Sequence, residues 1–210
     1  MKSFKKYIQE KNLGFKVLSE SGSRNLIVID VQPEYERVLP FKISNFTEWL
    51  NNFGGKITFL YNGHDTLGMV IESDLQSWYL ENGLDEGVIE DSNWYDKGYA
   101  FFRYCMDIGV DEDDIVALVK YMKDNNINDS RDIDSEIWDD LIEQYGIEDV
   151  RELLEHADDM INIPDVMEYL LRLGNNFVVV GGGANECLKE IEIALKANGQ
   201  TFDRISEWVY

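Results

Sequence analysis

The chain has 210 residues and a formal net charge of −22, from 41 acidic and 19 basic residues. A hydrophobic content of 44% and an aromatic content of 12% exclude a disordered chain, because such chains are poor in apolar side chains. The negative charge argues against a general nucleic-acid binder, which needs a basic face to neutralise phosphates. No apolar run reaches the roughly 18 residues of a membrane span, and two cysteines are too few for a disulfide framework. We therefore expect a soluble, acidic, globular protein of a reducing compartment such as the cytoplasm.

Short apolar runs rich in β-branched residues alternate with amphipathic stretches along the chain, which is typical of alternating strands and helices. In chain order the pattern predicts a strand at Leu26–Ile29, a helix at Phe46–Phe53, a strand at Lys56–Tyr61, a helix at Asp74–Leu80, a strand at Tyr95–Tyr104, helices from Asp111 to about Gly174, a strand at Phe177–Val180, a helix at Glu186–Ala197 and a strand at Thr201–Val209. Glycine-rich turns between strands and helices favour parallel strands. We predict an α/β fold with a parallel sheet of about five strands.

The charge is unevenly distributed and suggests the organisation of the chain. Residues 1–16 carry five lysines and one acidic residue, whereas residues 111–160 carry 18 acidic and four basic residues. We predict an N-terminal leader and linker over 1–23, a first part of the α/β core over 24–110, an acidic helical insertion over 111–174 and a second part of the core over 175–210.

Polar side chains follow the predicted strands, and open α/β sheets bind ligands at the carboxyl ends of their strands. Asp30 and Gln32 follow the first strand, and Asn62 and His64 follow the second. Cys187 begins the helix that follows the fourth strand. We take Gln32, Asn62 and His64 as candidate substrate-binding residues.

The position of Cys187 is suited to nucleophilic chemistry. The positive end of a helix dipole favours a thiolate and predicts a lowered pKa for this cysteine. The glycines before it allow a tight turn whose N–H groups could stabilise an oxyanion. A carboxylate at Asp30 could accept the thiol proton, and an ammonium at Lys97 could stabilise the charges.

Three segments resemble the isochorismatase-like cysteine hydrolases, in the order of that family. LIVIDVQPEY resembles the first strand, DKGYAFFRY the lysine segment and VVVGGGANECL the nucleophile turn. The resemblance covers roughly residues 24–110 and 175–210. It implies a Rossmann-like three-layer fold, with Asp30 as the base, Lys97 as the charge-stabilising residue and Cys187 as the nucleophile. It also implies a cis peptide bond around Gly182–Gly183 and an oxyanion hole formed by N–H groups there and at Cys187.

The resemblance implies a hydrolase that acts on a small amide or related C–N bond without a cofactor. Related nicotinamidases bind a metal through an Asp and several His residues after the second strand. This sequence has only His64 there and His156 far away, so we expect no metal. The alternative is a catalytically inactive relative that binds a basic protein partner through its acidic helices. A homo-oligomer is left open, and we expect neither nucleic acid nor a membrane as a partner.

The first ten residues, MKSFKKYIQE, resemble the capsid-targeting leader of internal head proteins in T-even-type tailed phages. Such leaders end in Ile or Leu, any residue, and then Glu, which here is Ile8-Gln9-Glu10. The resemblance implies cleavage after Glu10, packaging in the virion head and action in the host cytoplasm. An ordinary amphipathic N-terminal helix is the alternative.

Overall fold

The structure is a computed structural model that describes residues 25–65, 68–98, 106, 109–127, 132, 134–145 and 163–210. The predicted leader, most of the predicted strand at 95–104, and part of the acidic segment lie outside these ranges. The predictions made for those residues stay predictions.

Five strands form one parallel sheet, as the sequence predicted. The described residues contain seven strands in all, which are β1 (Asn25–Ile29), β2 (Ile57–Tyr61), β3 (His64–Asp65), β4 (Gly68–Met69), β5 (Asn93–Asp96), β6 (Asn176–Gly181) and β7 (Thr201–Arg204). The sheet order is β5-β2-β1-β6-β7, and each neighbouring pair is parallel. The short β3 and β4 pair with each other as an antiparallel hairpin after β2.

Helices separate the strands along the chain. They are α1 (Ile43–Asn51), α2 (Glu72–Glu81), α3 (Glu86–Asp91), α4 (Glu112–Asp124), α5 (Ser135–Tyr145), α6 (Ile163–Leu173) and α7 (Cys187–Ala197). Short 3-10 helices occur at Pro33–Val38 and Ser206–Trp208. None of the helices in the described ranges has both the length and the apolar composition that a membrane span requires.

The sheet lies between two layers of helices, which gives three layers in all. Helices α4, α6 and α7 pack on one face, and α1, α2 and α3 contribute to the core on the other. The apolar runs Leu26–Ile29 and Phe177–Val180 are buried, because these central strands are covered on both faces. Continuous β-branched runs in the sequence therefore marked the centre of the sheet.

The acidic segment contributes two helices to the layer around α7. Helix α4 buries Ile115, Leu118, Val119 and Met122, which are the residues spaced at i, i+3, i+4 and i+7 in the sequence. Helix α6 contributes Met167 to the same core, and both helices contact α7. Helix α4 therefore carries acidic side chains, but its apolar face forms part of the core.

Two predicted strands end earlier in the structure than in the sequence-based prediction. The strand predicted at 95–104 begins two residues earlier and ends at Asp96, so Lys97 follows the strand instead of lying near its start. The last strand ends at Arg204, and the chain then forms a 3-10 helix that buries Trp208. Burial of this tryptophan in the core favours the turn over a longer edge strand.

Candidate active site at the carboxyl edge of the sheet

The site lies between the neighbouring strands β1 and β6, from which the chain continues to opposite sides of the sheet. From β1 the chain continues to β2 on one side, and from β6 it continues to β7 on the other side. Open α/β sheets bind ligands at such a switch point, outside the carboxyl ends of the strands. Asp30 directly follows β1, and Gly182 directly follows β6. The fold therefore brings the predicted base and the predicted nucleophile turn to the same crevice.

Asp30 and Lys97 form a buried ion pair. The Nζ atom of Lys97 lies 3.0 Å from Oδ2 of Asp30, and the two side chains are 3% and 0% exposed. The backbone N–H of Lys97 donates to the carbonyl of Tyr61 at 2.9 Å, which extends the β2–β5 pairing by one residue. Burial lowers the pKa of an ammonium, but Asp30 and, next, Glu190 outweigh it and hold the pKa of Lys97 above its usual range. Lys97 is therefore a permanent cation in this site.

The carboxylate of Asp30 contacts both the Lys97 ammonium and the Cys187 thiol. The contact of Oδ2 with Lys97 is an ion pair outside strict hydrogen-bond geometry, and the carboxylate is also a hydrogen-bond partner of the Cys187 thiol. The backbone of Asp30 has a φ of 48°, which is uncommon outside glycine, although Asp and Asn adopt it more readily than most residues. Such strain persists only where the surroundings hold it, and it is concentrated at functional sites.

The nucleophile turn depends on glycines. Gly181 has a φ of 79° and Gly182 a φ of 64°. A Cβ atom at Gly181 would lie 2.2 Å from the carbonyl oxygen of Ile29, and one at Gly182 would lie 2.7 Å from the backbone nitrogen of Leu188. Because these two residues have no side chain, the chain can turn through residues 182–186 from β6 into α7, and Cys187 is the first residue of the helix.

The predicted cis peptide bond is wrong. The described residues contain no cis peptide bond, and this includes the bond between Gly182 and Gly183. The two consecutive left-handed glycines, Gly181 and Gly182, reverse the chain with trans bonds. Glycine freedom in φ allows this turn without a cis bond.

The predicted lowering of the Cys187 pKa is also wrong. Cys187 is half-buried, and burial, followed by the neighbouring Asp30 carboxylate, raises its pKa well above the usual range. Lys97 acts in the opposite direction but does not compensate. These influences outweigh the helix dipole, because desolvation disfavours the charged thiolate. The resting site therefore contains a neutral thiol beside the Asp30–Lys97 ion pair.

The oxyanion hole predicted at the turn stays a prediction. The N–H groups of Gly183 and Cys187 donate to no backbone carbonyl of the residues that the structure describes. The N–H groups in the first turn of a helix lack intrahelical partners, which accounts for that of Cys187. Gly182, the third predicted member, uses its carbonyl to accept a hydrogen bond from Tyr210.

The predicted substrate-binding residues differ in what the structure shows of them. Oε1 of Gln32 accepts from the backbone N–H of Asn62 at 3.1 Å, and Nε2 donates to the carbonyl of Asn62 at 3.4 Å. Gln32 therefore connects the loops after β1 and β2. The Asn62 side chain is buried beside it. The backbone of His64 lies in β3, and its side chain lies outside the described part. The substrate contacts of all three stay predictions.

Asp96 is a supporting residue that the sequence analysis missed. Its Oδ1 accepts from the backbone N–H groups of Gly63 and Gly98, each at 2.9 Å. A Cβ atom at Gly63 would lie 2.0 Å from Oδ2 of Asp96, so a larger residue there would displace this carboxylate. These bonds connect the end of β5 to the loop after β2 and fix the backbone on both sides of Lys97. An Asp directly before a Lys-Gly pair was the available signal.

Glu190 is a second missed residue. It lies three residues after Cys187 in α7, a spacing that places both on the same face of the helix, and it is only 4% exposed. Besides burial and Asp30, Glu190 acts on the pKa of Cys187 and on that of Lys97, and it raises both. The site therefore contains two buried carboxylates, of which the sequence analysis identified one.

The site has no metal-binding group in the parts of the chain that the structure describes. No cluster of three or more His, Cys, Asp or Glu side chains with a suitable arrangement occurs there. His156 and the side chain of His64 lie outside those parts. The expectation that no metal is bound stays an expectation.

Comparison of the chain with protein-family models, with curated proteins and with solved structures gives no significant match.

Proposed function

We propose that the protein is a cysteine hydrolase that cleaves a small amide or a related C–N bond without a cofactor, in the cytoplasm. The observation that carries this proposal is the buried Asp30–Lys97 ion pair beside Cys187 at the switch point of the sheet. A buried carboxylate in contact with a thiol at a helix start has the elements of an activated nucleophile. The resemblance to the isochorismatase-like hydrolases assigns the same three roles.

The first half-reaction forms a thioester. Asp30 accepts the proton of the Cys187 thiol while sulfur attacks the carbonyl carbon of the substrate. The oxyanion that develops is stabilised by the N–H groups of Gly183 and Cys187. Asp30 then donates the proton to the nitrogen of the leaving group, the C–N bond breaks, and ammonia or an amine departs. The raised pKa of the thiol fits this order, since the proton moves when the substrate is present.

The second half-reaction hydrolyses the thioester. Asp30, again a carboxylate, accepts a proton from water, and the hydroxide attacks the carbonyl carbon. The C–S bond breaks, the proton returns to the sulfur of Cys187, and a carboxylic acid is released. Lys97 remains protonated throughout and offsets the charge of Asp30 whenever the carboxylate is ionised.

A panel of small amides tests the proposal. We expect release of ammonia from at least one of acetamide, propionamide, benzamide and N-substituted ureas, and a covalent acyl adduct on Cys187 detectable by intact-protein mass spectrometry. Cys187→Ala and Asp30→Asn should each reduce the rate by at least about 100-fold. Lys196→Ala, which removes a lysine that contacts Glu112 outside the site, is the matched control and should retain full activity. Activity that survives in Cys187→Ala would contradict the proposal.

The second candidate is an inactive relative that binds a basic protein partner. It is favoured by the acidic side chains of α5, which are exposed: Glu136, Asp139, Asp140 and Glu143. Reversing two of these charges should weaken binding to immobilised polylysine, whereas Cys187→Ala should not change it. A chain in which the Cys187, Asp30 and Lys97 variants behave as wild type in every activity and binding assay, but the α5 variants do not, would support this candidate.

The resemblance of residues 1–10 to a phage leader supports a proposal about where the protein is located. We propose that the precursor is cut after Glu10 and packaged in a virion head before it acts in the host cytoplasm. Mass spectrometry of the packaged protein should find Lys11 as its first residue. An intact Met1 in virions, or absence from virions, would overturn this proposal without affecting the hydrolase.

A further inference from the structure

Tyr210 connects the two halves of the candidate site. Its backbone N–H donates to the carbonyl of Gly182 at 3.1 Å, and the N–H of Ala184 donates to its carbonyl at 2.6 Å. Its hydroxyl donates to the carbonyl oxygen of Asp30 at 3.0 Å. One residue therefore contacts both the loop that holds the predicted base and the turn that precedes the predicted nucleophile.

The hydroxyl contact lies at the strained point of the site. Asp30 has a φ of 48°, and its N–H is already held by the carbonyl of Leu60 at 2.9 Å. Tyr210 holds the carbonyl of the same residue, so both polar groups of the Asp30 main chain are fixed from outside its own loop. The short Asp30 side chain is attached to this strained backbone. The direction of its carboxylate toward Lys97 therefore depends on the left-handed conformation of residue 30.

The surroundings of Tyr210 keep its hydroxyl a donor. Burial, followed by the charge of Asp30, raises the pKa of Tyr210 above its usual range, so the phenol stays protonated. The ring of Tyr35 lies 6.3 Å from the ring of Tyr210, at an angle of 36°. The phenol is therefore confined in position and in protonation state.

We propose that Tyr210 is a positioning residue that holds the Asp30 backbone so that the carboxylate can accept the Cys187 proton. The inference rests on the proposed function, because it assigns Tyr210 a task only if Asp30 acts as a base. It adds a residue that lies outside all three segments on which the family resemblance depends.

Alkylation of Cys187 by iodoacetamide tests the inference without knowledge of the substrate. Sulfur attacks the methylene carbon, the C–S bond forms, the C–I bond breaks and iodide leaves. Near neutral pH the thiol proton passes to Asp30 and then to solvent. At high pH hydroxide removes the proton directly, and Asp30 is not needed. Rates are measured from pH 6 to 11 in a Cys105→Ala background, which leaves Cys187 as the single thiol.

We expect Tyr210→Phe to reduce the rate near pH 7 by about tenfold and to leave the rate at high pH unchanged. This is the profile expected of Asp30→Asn, in weaker form. The variant keeps the aromatic ring and both backbone hydrogen bonds, so it should fold, which circular dichroism checks. Tyr79→Phe is the matched control, because the Tyr79 hydroxyl donates to the carbonyl of Val31 and not to that of Asp30. It should leave the whole profile unchanged.

The experiment distinguishes a failure of the proposed function from a failure of the role of Tyr210. If Asp30→Asn leaves the rate near pH 7 unchanged, Asp30 is not a base and the proposed function fails. If Asp30→Asn lowers that rate but Tyr210→Phe leaves it unchanged, the positioning role of Tyr210 is overturned. A Tyr210→Phe variant whose rate changes equally at all pH values also overturns it, because a general loosening of the fold would act on both branches.

Discussion

Lys97 and Asp30 are separated by one strand of the sheet, yet their side chains meet past the end of that strand. Lys97 follows β5 and Asp30 follows β1, with β2 between them. Neighbouring strands lie about 4.8 Å apart, so the two backbones are about 10 Å apart, a distance that the lysine side chain can largely span. The 3.0 Å contact thus connects the ends of β1 and β5 across the end of β2, at the edge where the candidate site lies. A shorter side chain at position 97 could not make it.

Burial of the Asp30–Lys97 ion pair predicts that removing one of the two charges destabilises the fold more than removing both. Lys97→Met leaves the carboxylate of Asp30 buried without a counter-charge, and we expect the free energy of unfolding to fall by about 3–5 kcal/mol. Denaturant titration at pH 7 measures it. The double variant Asp30→Asn/Lys97→Met removes both charges and should recover most of the loss, since Asn tolerates the left-handed backbone of residue 30. A double variant no more stable than Lys97→Met would show that the uncompensated charge is not the cause.

The direction of the Cys187 pKa predicts how the thiol reacts. Because the pKa is raised, most of the thiol remains protonated at pH 7, and alkylation by iodoacetamide should be slower there than for free cysteine. The rate should climb through the range above about pH 9, beyond the usual thiol pKa of about 8.5. Intact-protein mass spectrometry of the Cys105→Ala variant measures the rate. A rate that reaches its plateau below pH 8 would mean that the helix dipole dominates after all.

The same shifts predict that the fold weakens at high pH. Cys187, Tyr79 and Tyr210 have raised pKa values in the folded state, and so does Lys97. Above about pH 8.5 the unfolded chain begins to lose protons that the folded chain retains, so the free energy of unfolding falls as pH rises. The fall should begin with the thiol and steepen above about pH 10, where tyrosine and lysine side chains of the unfolded chain ionise.

Thermal unfolding measured between pH 7 and 11 checks this slope. Cys187→Ala should flatten the curve between about pH 8.5 and 10 and leave the steeper part in place. A melting temperature that stays constant up to pH 11 would contradict the buried, protonated state of these groups.

Some parts of the site were predictable from the sequence because their signals are local. The apolar run that ends at Asp30 and the run that leads into Gly181 mark buried strands, and in a parallel sheet their ends meet at one edge. A glycine cluster before a helix start likewise identified the turn before Cys187. Each of these depends on residues within one short segment.

Other parts were not predictable because they depend on residues far apart in the chain. The hydroxyl of Tyr210 reaches a residue 180 positions earlier, and no local pattern indicates it. The direction of the Cys187 pKa depends on burial and on the side chains of Asp30 and Glu190, whereas the helix start visible in the sequence favours the opposite direction. Glu190 looked like an ordinary acidic residue of an amphipathic helix until the structure showed it to be buried.

The glycines of the nucleophile turn give the last prediction. Gly181→Ala forces a side chain into a left-handed conformation and places its Cβ atom 2.2 Å from the carbonyl oxygen of Ile29, which is backbone of the adjacent strand. The conformation alone costs about 1–2 kcal/mol, and the clash must add to it, so the free energy of unfolding should fall by at least about 2 kcal/mol. Gly87→Ala in α3 is the control, because no atom lies within 4 Å of its added Cβ. Alanine there should be neutral or stabilising by up to about 1 kcal/mol. Equal effects of the two substitutions would mean that the chain does not turn from β6 into α7 through a left-handed Gly181.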